Sequence, residues 1–322
     1  MGKTLSSYPG DPVNWDASRV PIGPTLPIIV SSDPQSVRKQ PVKWYLTLAF
    51  DAAFLVLMLL TVGIPLAVVG WGVSTLHLPV WLVMALMPVW AAGFLMLFAG
   101  ALGAVRLTLP RLEPGNYPFP GHRQSMAWLF HFALQRLMNQ RLWSTLILSF
   151  ASLRWLLLRA LGGKVAYGIQ TSNDVLITDP SLLTVGEGSM LAAGTFVAGH
   201  LVENGRLSLA ATVLGTGVQL MGQVTLAPGV EIGNDTVVGP GTKMLGGVRV
   251  GSDVYFGIGC LVYNGVTIGD NVVIGHQVLI EADVTIGEGA VIQAGARLPK
   301  GTVVGEGEPY PPRRTANPVA PT

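Results

Sequence analysis

Charge is scarce in this chain. Of 322 residues only 12% are Asp, Glu, Lys or Arg, and the net charge is +2. So small a surplus does not point to nucleic acid as a partner. Cysteine is scarcer. Cys260 is the single one, which excludes an internal disulfide framework and a cysteine-based zinc site. Of five histidines, only His200 and His276 lie beyond residue 165. The first residues lack the apolar run of a signal peptide. Apolar residues dominate instead, at 50% of the chain, with a mean hydropathy of +0.50. That composition and length suit a membrane part joined to one large second domain.

From Leu214 onward an apolar residue returns every sixth position without a slip. The heads are Leu214, Leu220, Leu226, Ile232, Val238, Met244, Val250, Phe256, Val262, Ile268, Ile274, Ile280, Ile286, Ile292, Leu298 and Val304. Gly usually follows a head, and a small or β-branched residue comes four positions later, as at Val218, Val266 and Cys260. A six-residue period fits neither a helix nor a two-residue strand alternation. It predicts a parallel β-helix in which each hexad is one face and three hexads close one coil. Heads point inward, and Gly, Asn or Asp take the corners, where positive φ costs them little. Cys260 falls on an inward small position and reads as packing.

These hexads resemble the hexapeptide-repeat acyltransferases. The resemblance covers about the last 140 residues, and it implies a left-handed β-helix, assembly as a homotrimer and use of acyl-CoA. The first coil is expected near Val185, continuing through Leu191 and Val197.

Two apolar runs precede the repeats, at residues 44–71 and 80–105, each long enough to span a bilayer. Trp44, Tyr45, Trp71 and Trp81 stand at their ends, where interfacial aromatics belong. Arg38, Lys39 and Lys43 precede the pair, Arg106 and Arg111 follow it, and the connection between carries no Lys or Arg. The positive-inside rule therefore places both termini in the cytoplasm. Asp51, inside the first run, reads either as functional or as an interfacial residue pairing with Arg106. Residues 123–138 have the spacing of an amphipathic helix. Residues 141–161 are apolar but interrupted by Arg141, Arg154 and Arg159, which favours an interfacial helix over a third span. Arg154 and Arg159 are then candidates for lipid phosphates or for simple snorkelling. LEPGNYP, LRWLLLRALGGKV and DPSLLTVGEGS also resemble the membrane-plus-hexapeptide region that ends the poly-amino-acid and related nonribosomal peptide synthetase-like proteins. That likeness implies an acceptor presented at a membrane or on a carrier. The expected organisation is an irregular arm (1–43), a transmembrane hairpin (44–106), a linker with surface helices (107–164), a β-helix domain (165–309) and a tail (310–322).

The rhythm breaks once. Val197 to Leu214 is 17 residues, where three hexads need 18, and the break reads AGHLVENGRLSLAAT. An excursion from a regular solenoid is an economical place for function. The Gly199-His200 step and its polar loop resemble those of the galactoside and xenobiotic acetyltransferases. The resemblance makes His200 the catalytic base. The chemistry agrees, because an acceptor hydroxyl or amine must lose a proton as it attacks a thioester. Glu203 is the candidate for orienting the imidazole, and Asn204 and Arg206 are candidates for substrate contact. His276 competes, since it sits two residues after a head, the place of the catalytic histidine in lipid A-type sugar acyltransferases. Its other reading is an exposed corner. Carbonic anhydrases of this fold need three histidines, and two do not suffice. The ending V304-G-E-G307-E-P309 resembles the close of CoA-using members. Lys300, Arg313 and Arg314 are candidates for CoA phosphates or for a capping tail. The chain thus reads as an acyltransferase of a bacterial inner membrane, with a trimeric β-helix scaffold lacking catalysis as the alternative.

Overall fold

The computed structural model describes residue 52, residues 55–139 and residues 151–311. Asp51, Trp44, Tyr45 and the basic residues before them lie outside these, as do Arg313 and Arg314.

Helix α1 (Leu55–Thr75) has a mean hydropathy of 2.2 over its most apolar stretch, and most of its surface faces outward. The second apolar run is divided. Helix α2 (Val80–Ala85) stops at Leu86, and α3 (Met87–Thr108) begins with Pro88 in its first turn. Proline removes a helical donor and disfavours helix in the residue before it, so the break falls there. The long apolar helix therefore starts at Met87, seven residues later than the apolar run. Among the described residues, α1 and α3 are the two helices long and apolar enough to cross a membrane.

Strand β1 (Gly115–Pro118) follows, then α4 (Arg123–Met138), as its apolar spacing predicts. His122 starts that helix, its Nδ1 accepting from Gln124 N at 3.1 Å. Helix α5 (Ala151–Ala160) packs on α3 and runs into the first solenoid coil.

That coil begins at Lys164, not near Val185. It consists of β2 (Lys164–Val165), β3 (Gln170–Thr171) and β4 (Leu176–Ile177). The second holds β5 (Leu183–Val185), β6 (Met190–Leu191) and β7 (Phe196–Val197). Each strand pairs in parallel with its counterpart one coil on, 18 residues later in the regular part, as Leu214 does with Ile232. The result is a parallel β-helix with sheets of eight, eight and seven strands. One inward column reads Leu214, Ile232, Val250, Ile268, Ile286, Val304, each at most 4% exposed. Burying such a side chain contributes about 1.5–3 kcal/mol, so the columns are the main favourable component of the fold. The glycines after the heads are needed for stacking. A Cβ on Gly233 would lie 2.5 Å from the carbonyl carbon of Gly251 in the next coil.

Two corners depart from the hexad. Ile177 to Val185 gains two residues, taken up by Asp179 and a 3-10 turn, Pro180–Leu182. The corner after Val197 is drawn out into β8 (His200–Glu203) and β9 (Arg206–Leu209), an antiparallel hairpin. The 17-residue interval is thus one enlarged corner rather than three damaged hexads.

Candidate active site

The hairpin turns on Asn204 and Gly205, both at positive φ (51° and 70°), the arrangement an Asn-Gly two-residue turn favours. Asn204 therefore serves the turn. Pairing places His200 opposite Leu209 and Val202 opposite Leu207, while Glu203 faces Arg206. Directly opposed residues share a face, and successive residues alternate. His200 thus shares its face with Leu207 and Leu209, which are buried with Leu112, Trp128 and Leu182 in a small separate core. Glu203 projects from the other face with Arg206, so it cannot orient His200. Arg206 is occupied in structure. Its Nε donates to Asn116 Oδ1 at 2.7 Å and its Nη2 to Asn116 O at 3.2 Å, which ties β9 to β1.

The carboxylate at His200 is Asp179. Its Oδ2 meets His200 Nδ1 in a short hydrogen bond, and its Oδ1 accepts from Trp128 Nε1 at 2.9 Å. The Asp179 side chain is wholly buried, whereas that of His200 keeps 18% of its surface. The two corners stack directly. A Cβ on Gly199 would lie 2.8 Å from that of Asp179, so the Gly before His200 admits the carboxylate beneath it. Trp128 and Phe132 of α4 wall the imidazole, with ring centroids 4.6 Å and 6.0 Å away. A carboxylate acceptor at Nδ1 requires the proton there. Nε2, with no hydrogen-bond partner among the described residues, is left with its lone pair free. That is the arrangement of a general base with an orienting acid. On the same helix α4, His131 Nε2 donates to Pro110 O at 2.9 Å, and burial pushes its pKa down, keeping it neutral.

The other candidates are not brought here. His276 is an exposed corner whose Nδ1 accepts from Ile258 N at 2.9 Å, one coil earlier. Asn234 and Asp270 accept from backbone N–H groups in the same way, so its position is accounted for structurally. Arg154 does not face lipid. It is 4% exposed, and its guanidinium donates to Ser172 O and to Val175 O, the latter at 3.0 Å, clamping α5 to the first coil. Burial draws its pKa down to about 10, still charged at neutral pH. Lys300 pairs with Asp283 at 3.4 Å, beside a groove of about 250 Å³ lined by Tyr263, Leu279, Glu281 and Arg297. It occupies the same edge of the solenoid as His200, five coils on. At about 4.8 Å per coil that is about 24 Å away. Cys260 is buried and burial raises its thiol pKa, as its inward position predicts. Among the described residues no three His, Cys, Asp or Glu side chains gather as metal ligands.

Residues 247–282 match the family model described as bacterial transferase hexapeptide (six repeats). The chain carries the bacterial transferase hexapeptide repeat. Among solved structures, the chain matches UDP-N-acetylglucosamine acyltransferase from Francisella novicida. It is 14% identical, with a TM-score of 0.36 over 46% of this chain and 58% of that one. The acetyltransferase domain of PglB from Neisseria gonorrhoeae is 16% identical, with a TM-score of 0.29 over 46% and 58%. PerB from Caulobacter crescentus, solved with CoA and GDP-perosamine, is 20% identical, with a TM-score of 0.27 over 49% and 61%. The chain thus spans about three fifths of each of these proteins. No curated protein matches the sequence.

Proposed function

We propose that this hexapeptide-repeat protein is a membrane-anchored acyltransferase that moves an acyl group, most simply acetyl, from CoA to a hydroxyl or amine. The observation that carries the reading is the buried Asp179 carboxylate on His200 Nδ1, with Nε2 left open at a break in the solenoid. In the reaction, His200 Nε2 takes the proton of the acceptor O–H or N–H as its oxygen or nitrogen attacks the thioester carbonyl. The C–S bond then breaks, and the departing CoA thiolate recovers a proton from the imidazolium. Asp179 stabilises the imidazolium between these steps without accepting its proton. The burial of Cys260 favours this direct transfer over an acyl-enzyme.

Acyl-CoA lies along the solenoid edge between His200 and Lys300, with Arg313 and Arg314 as further phosphate ligands and the site completed between subunits of a homotrimer. The two apolar helices α1 and α3 anchor the chain in a bacterial inner membrane, with the solenoid in the cytoplasm, where acyl-CoA is found. The acceptor is then lipid-linked or carrier-linked. Helix α4, which follows α3 after a short linker and walls His200 with Trp128 and Phe132, supports an acceptor arriving at the membrane surface. The test is transfer of labelled acetyl from acetyl-CoA to a membrane lipid extract by the protein in nanodiscs. A labelled lipid product supports the reading. Failure to bind or turn over any acyl-CoA contradicts it.

A further inference from the structure

Asp179 shares its left-handed backbone with other corner residues such as Asp235, Asp253 and Asp283, but those are exposed and Asp179 is buried. Its φ and ψ are 54° and 60°, in the left-handed region, and its side chain has no exposed surface. A buried carboxylate and backbone N–H need hydrogen-bonding contacts. Two such contacts come from α4, a helix that precedes the solenoid in the chain. Gln135 Oε1 accepts from the Asp179 backbone N–H, and Trp128 Nε1 donates to its Oδ1. Trp128 and Gln135 are seven residues apart, two turns along one side of the helix. Gln135 is 2% exposed, and its Nε2 has no partner among the described residues. An orphaned buried amide is destabilising, so stability alone does not account for glutamine here, whereas the grip on Asp179 does.

We propose that Trp128 and Gln135 are positioning residues that set the tautomer of His200. The mechanism follows from the geometry. Trp128 fixes Oδ1, and Gln135 fixes the backbone from which the carboxylate hangs. Oδ2 is therefore held on His200 Nδ1, the proton stays on Nδ1, and Nε2 keeps its lone pair. Without the grip, Asp179 gains rotational freedom and the imidazole proton redistributes toward Nε2. The helix next to the membrane would thus belong to the reactive centre of the solenoid. The inference rests on the acyltransfer reading only for what Nε2 does, not for which nitrogen carries the proton.

The test uses the full chain in nanodiscs with ¹⁵N-labelled histidine. Trp128→Phe keeps a ring and drops the N–H; Gln135→Leu keeps bulk and drops the acceptor. In wild type, the His200 signals should show an unprotonated Nε2, whereas each variant should show a mixture of tautomers. With acetyl-CoA and membrane lipid extract, kcat should fall about tenfold or more, with KM for acetyl-CoA within about twofold. The variants remove separate contacts, so misfolding of one leaves the other informative. Wild-type nitrogen signals in a folded variant overturn the proposal. His200→Ala is assayed beside them. If it turns over like wild type, His200 is not the base of the acyltransfer reading, while the nitrogen signals still judge the grip.

Discussion

Asp179→Asn changes one atom at the centre of the site and has a predictable consequence. The asparagine has the same shape, so Trp128 Nε1 still finds an oxygen at the Oδ1 position. The amide nitrogen must then occupy the Oδ2 position, facing His200 Nδ1. Because an amide nitrogen only donates, His200 must accept at Nδ1 and carry its proton on Nε2. The base is thereby blocked by its own proton. Two losses add. The unproductive tautomer becomes the dominant one, and the anion that steadies the imidazolium is gone. Together they lower turnover by about 100- to 10,000-fold, or about 3–5 kcal/mol in the barrier. Thermal stability should shift little, because no cavity forms and a buried charge is removed. The double variant with His200→Ala should be no slower than His200→Ala alone, since the pair acts as a unit. The assay is acetyl transfer to lipid extract in nanodiscs, with thermal unfolding followed in parallel. Turnover of Asp179→Asn within about threefold of wild type would mean that Asp179 does not set the working tautomer of His200.

Other perturbations reach the rest of the structure. Ile268→Asp places an unpaired carboxylate in a column where Ile268 is 2% exposed, so thermal unfolding should show a loss of several kcal/mol. Asp270→Ala removes one acceptor, for Ser252 N at 2.7 Å, and should cost about 1 kcal/mol by the same measurement. Arg154→Ala frees two carbonyls and unclamps α5; it should lower stability by about 2–4 kcal/mol while leaving liposome flotation unchanged. His276→Ala should leave acetyl transfer within about threefold, because its ring serves one corner N–H. A reporter at residue 75 should face the periplasm and one at residue 322 the cytoplasm, which protease protection of spheroplasts will decide.

The solenoid could be read from the sequence because its rule is local. Each head stacks on a residue 18 positions away, so regular spacing alone fixes both face and register. The same rule concealed its beginning. Val165, Thr171 and Ile177 keep the period, but the two extra residues before Val185 break the count and hide the first coil. That eight-residue interval, with Asp-Pro at its start, was the available signal for Asp179. The hairpin break exposed His200, yet proximity in sequence suggested Glu203 as its partner. Strand alternation sends Glu203 to the opposite face, while coil stacking brings Asp179 from 21 residues back. Trp128 and Gln135 had no sequence signal, because the docking of α4 on a solenoid corner is a long-range contact with no period. Arg154 and Arg206 carried the right chemistry for phosphate or substrate. Carbonyl oxygens and Asn116 claim them in the fold.

His200 as the base is what the rest of the proposed chemistry depends on. The most direct measurement is the acetyl-transfer rate of His200→Ala beside wild type and His276→Ala, with purified protein in nanodiscs, acetyl-CoA and membrane lipid extract. His200→Ala should lose about 100- to 10,000-fold in rate with acetyl-CoA affinity nearly unchanged, because the imidazole acts on the proton of the acceptor. A wild-type rate in His200→Ala contradicts that role, and moves the chemistry to the later coil if His276→Ala is the variant that fails.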